Sequence, residues 1–314
     1  MKTRDHKQAA EHKVKTEGSG LNNPQGGQTP DIHQQITDQI LAAMEQARST
    51  GRRLWDSQPS LPMNLTTGKP YSGVNVLILW SASLSRGYTS PYWLTYKQAT
   101  DMGGQVKKGE HGTRLVFYKP WESTDTNSET GETETTRGAI LKTFTAFNLD
   151  QCDGIERPAK EERPAFEVLA AAEALLQRTP APIIEGGHEA CYIPSRDEIH
   201  MPARGTFVSP EAFYSVACHE MTHSTGAKHR LDRQFSTRFG DEAYAMEELV
   251  AELGAAFLSA EVGILGATRD DHAHYLASWL KVLKGDKKAV FTAAAAASKA
   301  AAYIMADQGQ EAAA

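Results

Sequence analysis

Five residues, His219-Glu220-Met221-Thr222-His223, constrain this chain more than any other part of it. An α-helix repeats every 3.6 residues, so histidines four apart project from one face and can share a single ion. Glu220 stands beside that face. The flanks agree with a helix: Ser209 suits the N-cap, Pro210 the first turn, Glu211 the positive helix start, and Gly226 the stop. The string therefore predicts a helix from about Pro210 to Ser224 with a metal-binding face.

Catalytic zinc takes three protein ligands and keeps a fourth position for water, so a third ligand must come from elsewhere. Its best source is Met246-Glu247-Glu248-Leu249-Val250-Ala251-Glu252-Leu253-Gly254, where acids interrupt an otherwise apolar helix. Glu248 and Glu252 are four apart and share a face. Burying both requires a cationic partner, which a metal and its histidines provide. Glu248 is assigned as the third ligand and Glu252 as the group that sets a histidine's tautomer and orientation; the reverse assignment satisfies the same spacing. Glu247, about 100° round the helix, is expected to be solvated or salt-bridged.

Tyr244, one turn before Glu248, could reach the site and polarise a carbonyl, although a tyrosine there is more often core. His229 follows the helix in a polar loop, where a histidine is usually just exposed. His188, His200, His272 and His274 have no partner at ligand spacing and are read as structural or surface groups. Zn2+ is the expected ion, with another divalent metal such as Mn2+ as the alternative. With Glu220 as general base, the constellation suits peptide hydrolysis of a protein substrate that the sequence does not identify. The competing reading is a structural or vestigial metal without peptidase activity.

At 314 residues the chain has room for two domains. The expected division is a disordered polar tail over 1–30, a first domain over 31–150, a linker over 151–164 and a second domain over 165–306. The tail lacks the apolar core of a secretory signal, and no uncharged apolar stretch is long enough to span a bilayer. Cys152, Cys191 and Cys218 form no paired short spacing, which fits a reducing compartment. A cytoplasmic protein with no membrane partner is expected.

Helix-type periodicity runs from Asp31 to Arg52 through Ile32, Ile36, Ile40, Leu41 and Met44. Pro70 to Leu84 fits strand or helix equally. A short helix, a glycine turn and a strand are expected between Tyr92 and Gly109. Leu115–Tyr118 and Leu141–Phe147 resemble paired strands, joined by a flexible loop from Glu122 to Arg137 that contains no apolar residue. The second half should hold a helix from Phe166 to Arg178 and a hairpin of Ala190–Ile193 with Glu198–Met201. Beyond the metal-binding helix, one helix is expected over about Ala243–Ala260 and a longer helical region from Asp271 toward Met305.

The net charge of −6 does not suggest a nucleic-acid binder, but charge is unevenly spread. From Arg52 to Lys119 there are nine Lys or Arg against three acids, interleaved with aromatic residues. Cations that follow a phosphate backbone, with rings on which unpaired bases can stack, make the composition of a single-strand binder. Lys107, Lys108, Arg114, Tyr92, Trp93 and Tyr96 are the candidate contacts, and about half of such aromatics should be core.

Several strings together resemble a known family: Pro70-Tyr71-Ser72-Gly73-Val74-Asn75, Trp93-Leu94-Thr95-Tyr96, Gly104-Gln105-Val106-Lys107-Lys108-Gly109-Glu110-His111-Gly112, the HExxH string and Glu247-Glu248-Leu249-Val250-Ala251-Glu252-Leu253-Gly254. In this order they look like the ArdC-type antirestriction proteins of conjugative plasmids, over about Ile32 to Ile304. The resemblance implies an α+β chain in two parts: an N-terminal mixed α/β domain binding single-stranded DNA, also similar to part of some plasmid primases, and a C-terminal zincin-like metallopeptidase domain. It further implies protection of incoming plasmid DNA from host restriction. Glu248 to Glu252 is similar to the ExxxD segment of gluzincins, with Glu in place of Asp. The rival expectation is a DNA-binding protein that shields by occupancy, its metal only stabilising the fold.

Overall fold

A computed structural model describes residues 31–49, 60–126, 133–159, 165–233, 241–264 and 272–306. The expected tail and Arg52, Arg53 and Trp55 lie outside these residues. The chain opens with α1 (Ile32–Ser49), whose Ile36, Ile40, Leu41 and Met44 are buried as their spacing predicts. After β1 (Met63–Asn64), the ambiguous segment forms α2 (Val74–Arg86). Nearly every residue from Val74 to Ser83 is buried, so no polar face exists to reveal the helical period. Gly73 and Gly87 flank it with positive φ, and Gly87 closes it in the left-handed region.

Next come β2 (Tyr92–Leu94) and α3 (Tyr96–Asp101), which starts at a Thr95/Gln98 capping box. They lead to β3 (Gln105–Val106), β4 (Thr113–Thr126), β5 (Thr133–Asn148) and β6 (Cys152–Asp153). One sheet runs β1-β2-β5-β4, while β3 pairs antiparallel with β6.

The loop expected from Glu122 to Arg137 is mostly strand. Antiparallel pairing continues outward from Thr113↔Ala146 to Thr126↔Thr133. The outer arm is rich in threonine, whose branched side chain favours extended backbone without needing a core. Absence of apolar residues was therefore a poor guide there.

In the second half, α4 (Ala165–Leu176) precedes β7 (Ile183–Gly187), β8 (Cys191–Ile193) and β9 (Glu198–Pro202). The expected β8–β9 hairpin is present, and β7 adds to it in parallel, giving the order β7-β9-β8 with β8 at an edge. Among the described residues four α-helices follow: α5 (Pro210–Ser224), α6 (Asp241–Val262), α7 (His272–Gly285) and α8 (Ala289–Met305). The last two replace the single helical region expected. Asp286 breaks it by accepting from the Lys288 amide through its side chain and the Ala289 amide through its carbonyl.

One apolar cluster joins α1, α2 and β4 to α5, α6, α7 and α8, continuing past the expected boundary at 151–164. Trp80 of α2 meets Phe257 of α6 at 5.7 Å between ring centres. Polar contacts reinforce it: Thr37 donates to the Lys287 carbonyl at 2.8 Å, and the Gly73 amide donates to Ser298 Oγ at 2.8 Å.

Candidate metal centre and nucleic-acid surface

Helix α5 begins as its sequence predicts, with Ser209 Oγ accepting from the Ala212 amide and Pro210 in the first turn. It is buried on almost all sides, and α6 crosses it closely. A β-carbon on Gly254 would lie 2.4 Å from Thr222 Cγ2, so only glycine permits that approach. The crossing brings the acids of α6 to the histidines of α5.

His219 Nε2 and His223 Nε2 face each other at 3.1 Å. Glu248 completes the pair: its oxygens lie 3.6 Å from His219 Nε2 and 3.5 Å from His223 Nε2. One donor atom from each of the three residues falls within 4.8 Å of the others. Two imidazole nitrogens and a carboxylate oxygen turned on one point are a donor set that suits a divalent ion.

The far sides of the rings have partners of their own. Glu252 Oε2 lies 3.6 Å from His219 Nδ1, which has no closer polar partner. Glu247 Oε1 lies 3.2 Å from His223 Nδ1. Arg233 donates to both oxygens of Glu247, at 2.9 and 2.6 Å, and also to the Thr222 carbonyl at the end of α5. Glu247 is thus salt-bridged as expected, but it also orients a histidine, which spacing alone missed. The usable signal is the count of acids on this helix, three within six residues, of which one can ligate and the others can each hold an imidazole from behind.

Burial opposes charge on His223, yet hydrogen bonding to Glu247 and Glu248 outweighs it and raises its pKa to about 10. Burial likewise opposes protonation of His219, and Glu248 and Glu252 raise its pKa overall. Burial alone would raise the Glu248 pKa, but the two histidines hold it well below the usual carboxylate range. Without an ion, the Glu248 carboxylate and the His223 imidazolium form a charged pair, 3.5 Å apart.

Glu220 is buried, and its Oε2 accepts from the Tyr192 amide of β8 at 2.9 Å. Arg230 anchors that strand's turn by a two-pronged bond to Asp197, 2.7 Å on each side, while donating to the Ser224 carbonyl of α5. A cavity of about 450 Å³ opens over Glu220, both histidines and Glu248. Tyr244 lines it and is 56% exposed, so it belongs to the cavity wall and not the core. His229 is exposed and lies 3.3 Å from Asp197, and His200 pairs with Glu198.

The candidate DNA contacts are scattered. Trp93 is 1% exposed and packs edge-on against Tyr88, so its ring is unavailable to a base. Residue type alone points to Trp93, and burial overturns that expectation. Tyr92 is half-buried against the small cluster of Leu94, Ala99, Leu149 and Cys152. Lys107 donates to the Asp150 carbonyl at 2.9 Å. Tyr96 and Lys108 are exposed, and Arg114 is exposed and reaches Gln35 at 3.4 Å. Tyr118, one of the rings interleaved in the basic segment, and Trp121, just beyond it, are not among these candidates, yet they are 53% and 41% exposed on the β4–β5 hairpin.

Comparison with known proteins agrees with both halves. A profile described as a zincin-like metallopeptidase matches residues 170–296, and one described as the N-terminal domain of anti-restriction factor ArdC matches residues 30–147. The fold class is therefore α+β, with an ArdC-type N-terminal domain followed by a zincin-like domain. Crystal structures of the antirestriction ArdC protein from plasmid R388, metal-free and Mn(II)-bound, match at TM-scores of 0.70 and 0.68 and 38% identity. They cover 87% of this chain and 96% and 97% of those chains. The uncharacterized protein y4eC of Sinorhizobium fredii is 40% identical, over 90% of this chain and 94% of its own length. A DNA primase TraC of Escherichia coli is 35% identical over 88% of this chain, which spans 27% of the primase. The chain belongs to the ArdC-type antirestriction protein family.

Proposed function

We propose that the protein is a plasmid antirestriction factor that holds single-stranded DNA through its N-terminal half and cleaves a protein with its C-terminal half, guarding plasmid DNA as it enters a new cell by conjugation. The observation that carries the peptidase reading is the convergence of His219, His223 and Glu248 beside Glu220 in one cavity. Support for the DNA reading comes from family membership and from the basic, aromatic composition of the first half. No helix among the described residues is long and apolar enough to cross a membrane.

In this reading His219, His223 and Glu248 hold a divalent ion, with zinc and manganese as the alternatives; the Mn(II)-bound relative favours neither for this chain. When bound, the ion supplies Lewis-acid polarisation to water and to the scissile carbonyl. Glu220 takes a proton from the attacking water and passes it to the leaving amine. The Tyr192 amide fixes one carboxylate oxygen and leaves the other to face the water. Glu252 and Glu247 hold the two imidazoles in orientation from behind.

Glu220→Gln tests the mechanism, because glutamine still accepts from Tyr192 but cannot serve as a base. The expected outcome is unchanged metal content with proteolysis reduced by about 10² to 10⁴ and plasmid protection lost. Full protection by this variant would replace peptide hydrolysis with shielding by occupancy.

A further inference from the structure

The outer part of the β4–β5 hairpin carries an organised surface that the candidate contacts above do not include. Directly paired residues of an antiparallel ladder point to the same side, and so do residues two apart on one strand. Phe117, Lys119 and Trp121 therefore share a face with their partners Lys142, Ile140 and Gly138. Phe117, Trp121 and Ile140 are 43%, 41% and 53% exposed, and both lysines are exposed and make no ion pair among the described residues. Arg114 lies on the opposite face, as does Tyr118, which meets His33 of α1 at 3.4 Å.

The two outer rings are held in place. Phe117 meets Phe144 edge-on at 6.0 Å. Trp121 lies across Gly138, where a β-carbon would come within 2.7 Å of its indole, so glycine lets the ring lie flat on the neighbouring strand. One side of the indole rests on the sheet and the other faces outward. Rings and cations thus alternate along a ribbon too narrow to bury them.

We propose that this face, formed by Phe117, Lys119, Trp121, Ile140 and Lys142, is a stacking platform for single-stranded DNA, with the rings against bases and the lysines against phosphates. The proposal rests on the single-strand reading given above. Charge selects this occupant over a second copy of the chain: from residue 115 to 123 and from 136 to 144 the face bears two lysines and no acid. Self-pairing would set like charges together, whereas a phosphate backbone complements them.

The test is the affinity of the full chain for a fluorescein-labelled oligothymidylate, compared with a duplex of equal length. Wild type should prefer the single strand. The Phe117→Ala/Trp121→Ala double variant should lose on the order of tenfold for each ring removed, with Trp121→Phe retaining most of the affinity. Lys119→Gln and Lys142→Gln, which touch no core, should each lower the slope of log affinity against log salt by about 0.7. If wild type binds and all these variants bind equally well with the wild-type slope, the platform is overturned while the DNA reading stands. If wild type binds no single strand, the DNA reading fails and takes the platform with it. A wild-type dimer, dissociated by the double variant without loss of DNA affinity, would assign the face to a second copy and overturn the proposal.

Discussion

The crossing of α5 and α6 and the outer β4–β5 hairpin use functional side chains in opposite ways. At the crossing, His219, Glu220, Glu248 and Glu252 are at most 8% exposed, and each has a polar partner close by. In the hairpin, rings and lysines stand largely in solvent, placed by strand pairing and by the contacts of the rings with Phe144 and Gly138. Buried charge is tolerable only when paired, so the crossing is over-determined and intolerant of change. The hairpin can vary its surface at little cost to folding, and so suits a ligand that presents many similar units.

The largest effect is expected at the centre of the crossing. His223→Ala should abolish stoichiometric metal, read by elemental analysis after dialysis; wild-type metal content in that variant would break the assigned donor set. The same donors predict pH dependence. With its pKa raised to about 10, His223 is protonated throughout the neutral range and must release that proton to take a metal. Affinity should rise with pH up to that value, by about tenfold per unit for one proton, and calorimetry in buffers of different ionisation heat should register the release.

Glu247→Gln comes next. It leaves all three donor residues in place, and metal affinity should fall by about 10- to 100-fold, measured by competition with a chelating dye. No change would reduce the Arg233–Glu247 pair to a structural clip. Gly254→Ala tests the packing beneath the site and should cost about 1–3 kcal/mol of stability in denaturant unfolding. In contrast, Lys119→Gln in the hairpin should stay within about 0.5 kcal/mol; equal losses would erase the distinction between the two regions.

A modest effect on stability is expected at Asp197. Its bond to Arg230 holds its pKa below the ordinary carboxylate value. It therefore stabilises the fold above the unfolded-state pKa, and that contribution is lost as pH falls through the folded-state value. Asp197→Asn should cost about 1 kcal/mol at neutral pH, a modest figure because the pair is partly solvated. The difference from wild type should disappear on acidification.

Much of the crossing is legible in the sequence. Ser209, Pro210 and Gly226 mark α5 through local backbone chemistry, and the spacing of His219 and His223 fixes their common face. Glu248 and Glu252 stood out as acids on an apolar helix. Glu247 was legible only as a salt-bridged acid, because the helix angle relates it to Glu248 and not to the Nδ1 of a residue on another helix. Tyr244 and Trp93 exchanged expected places for a similar reason: exposure depends on which elements cover a residue, and its type is a weak guide.

By itself, the sequence determined what is periodic or local: the start and metal face of α5, the amphipathic stripe of α1, the turn joining β8 to β9, and the residue types of a zincin site. Tertiary structure decided the rest. It made α2 a helix by burying all its sides, extended β4 and β5 through a stretch with no apolar residue, and split the last helical region at Asp286. It also set Glu248 in front of the histidines with Glu247 and Glu252 behind them. These outcomes depend on contacts between segments distant in the chain, whose geometry no single segment encodes.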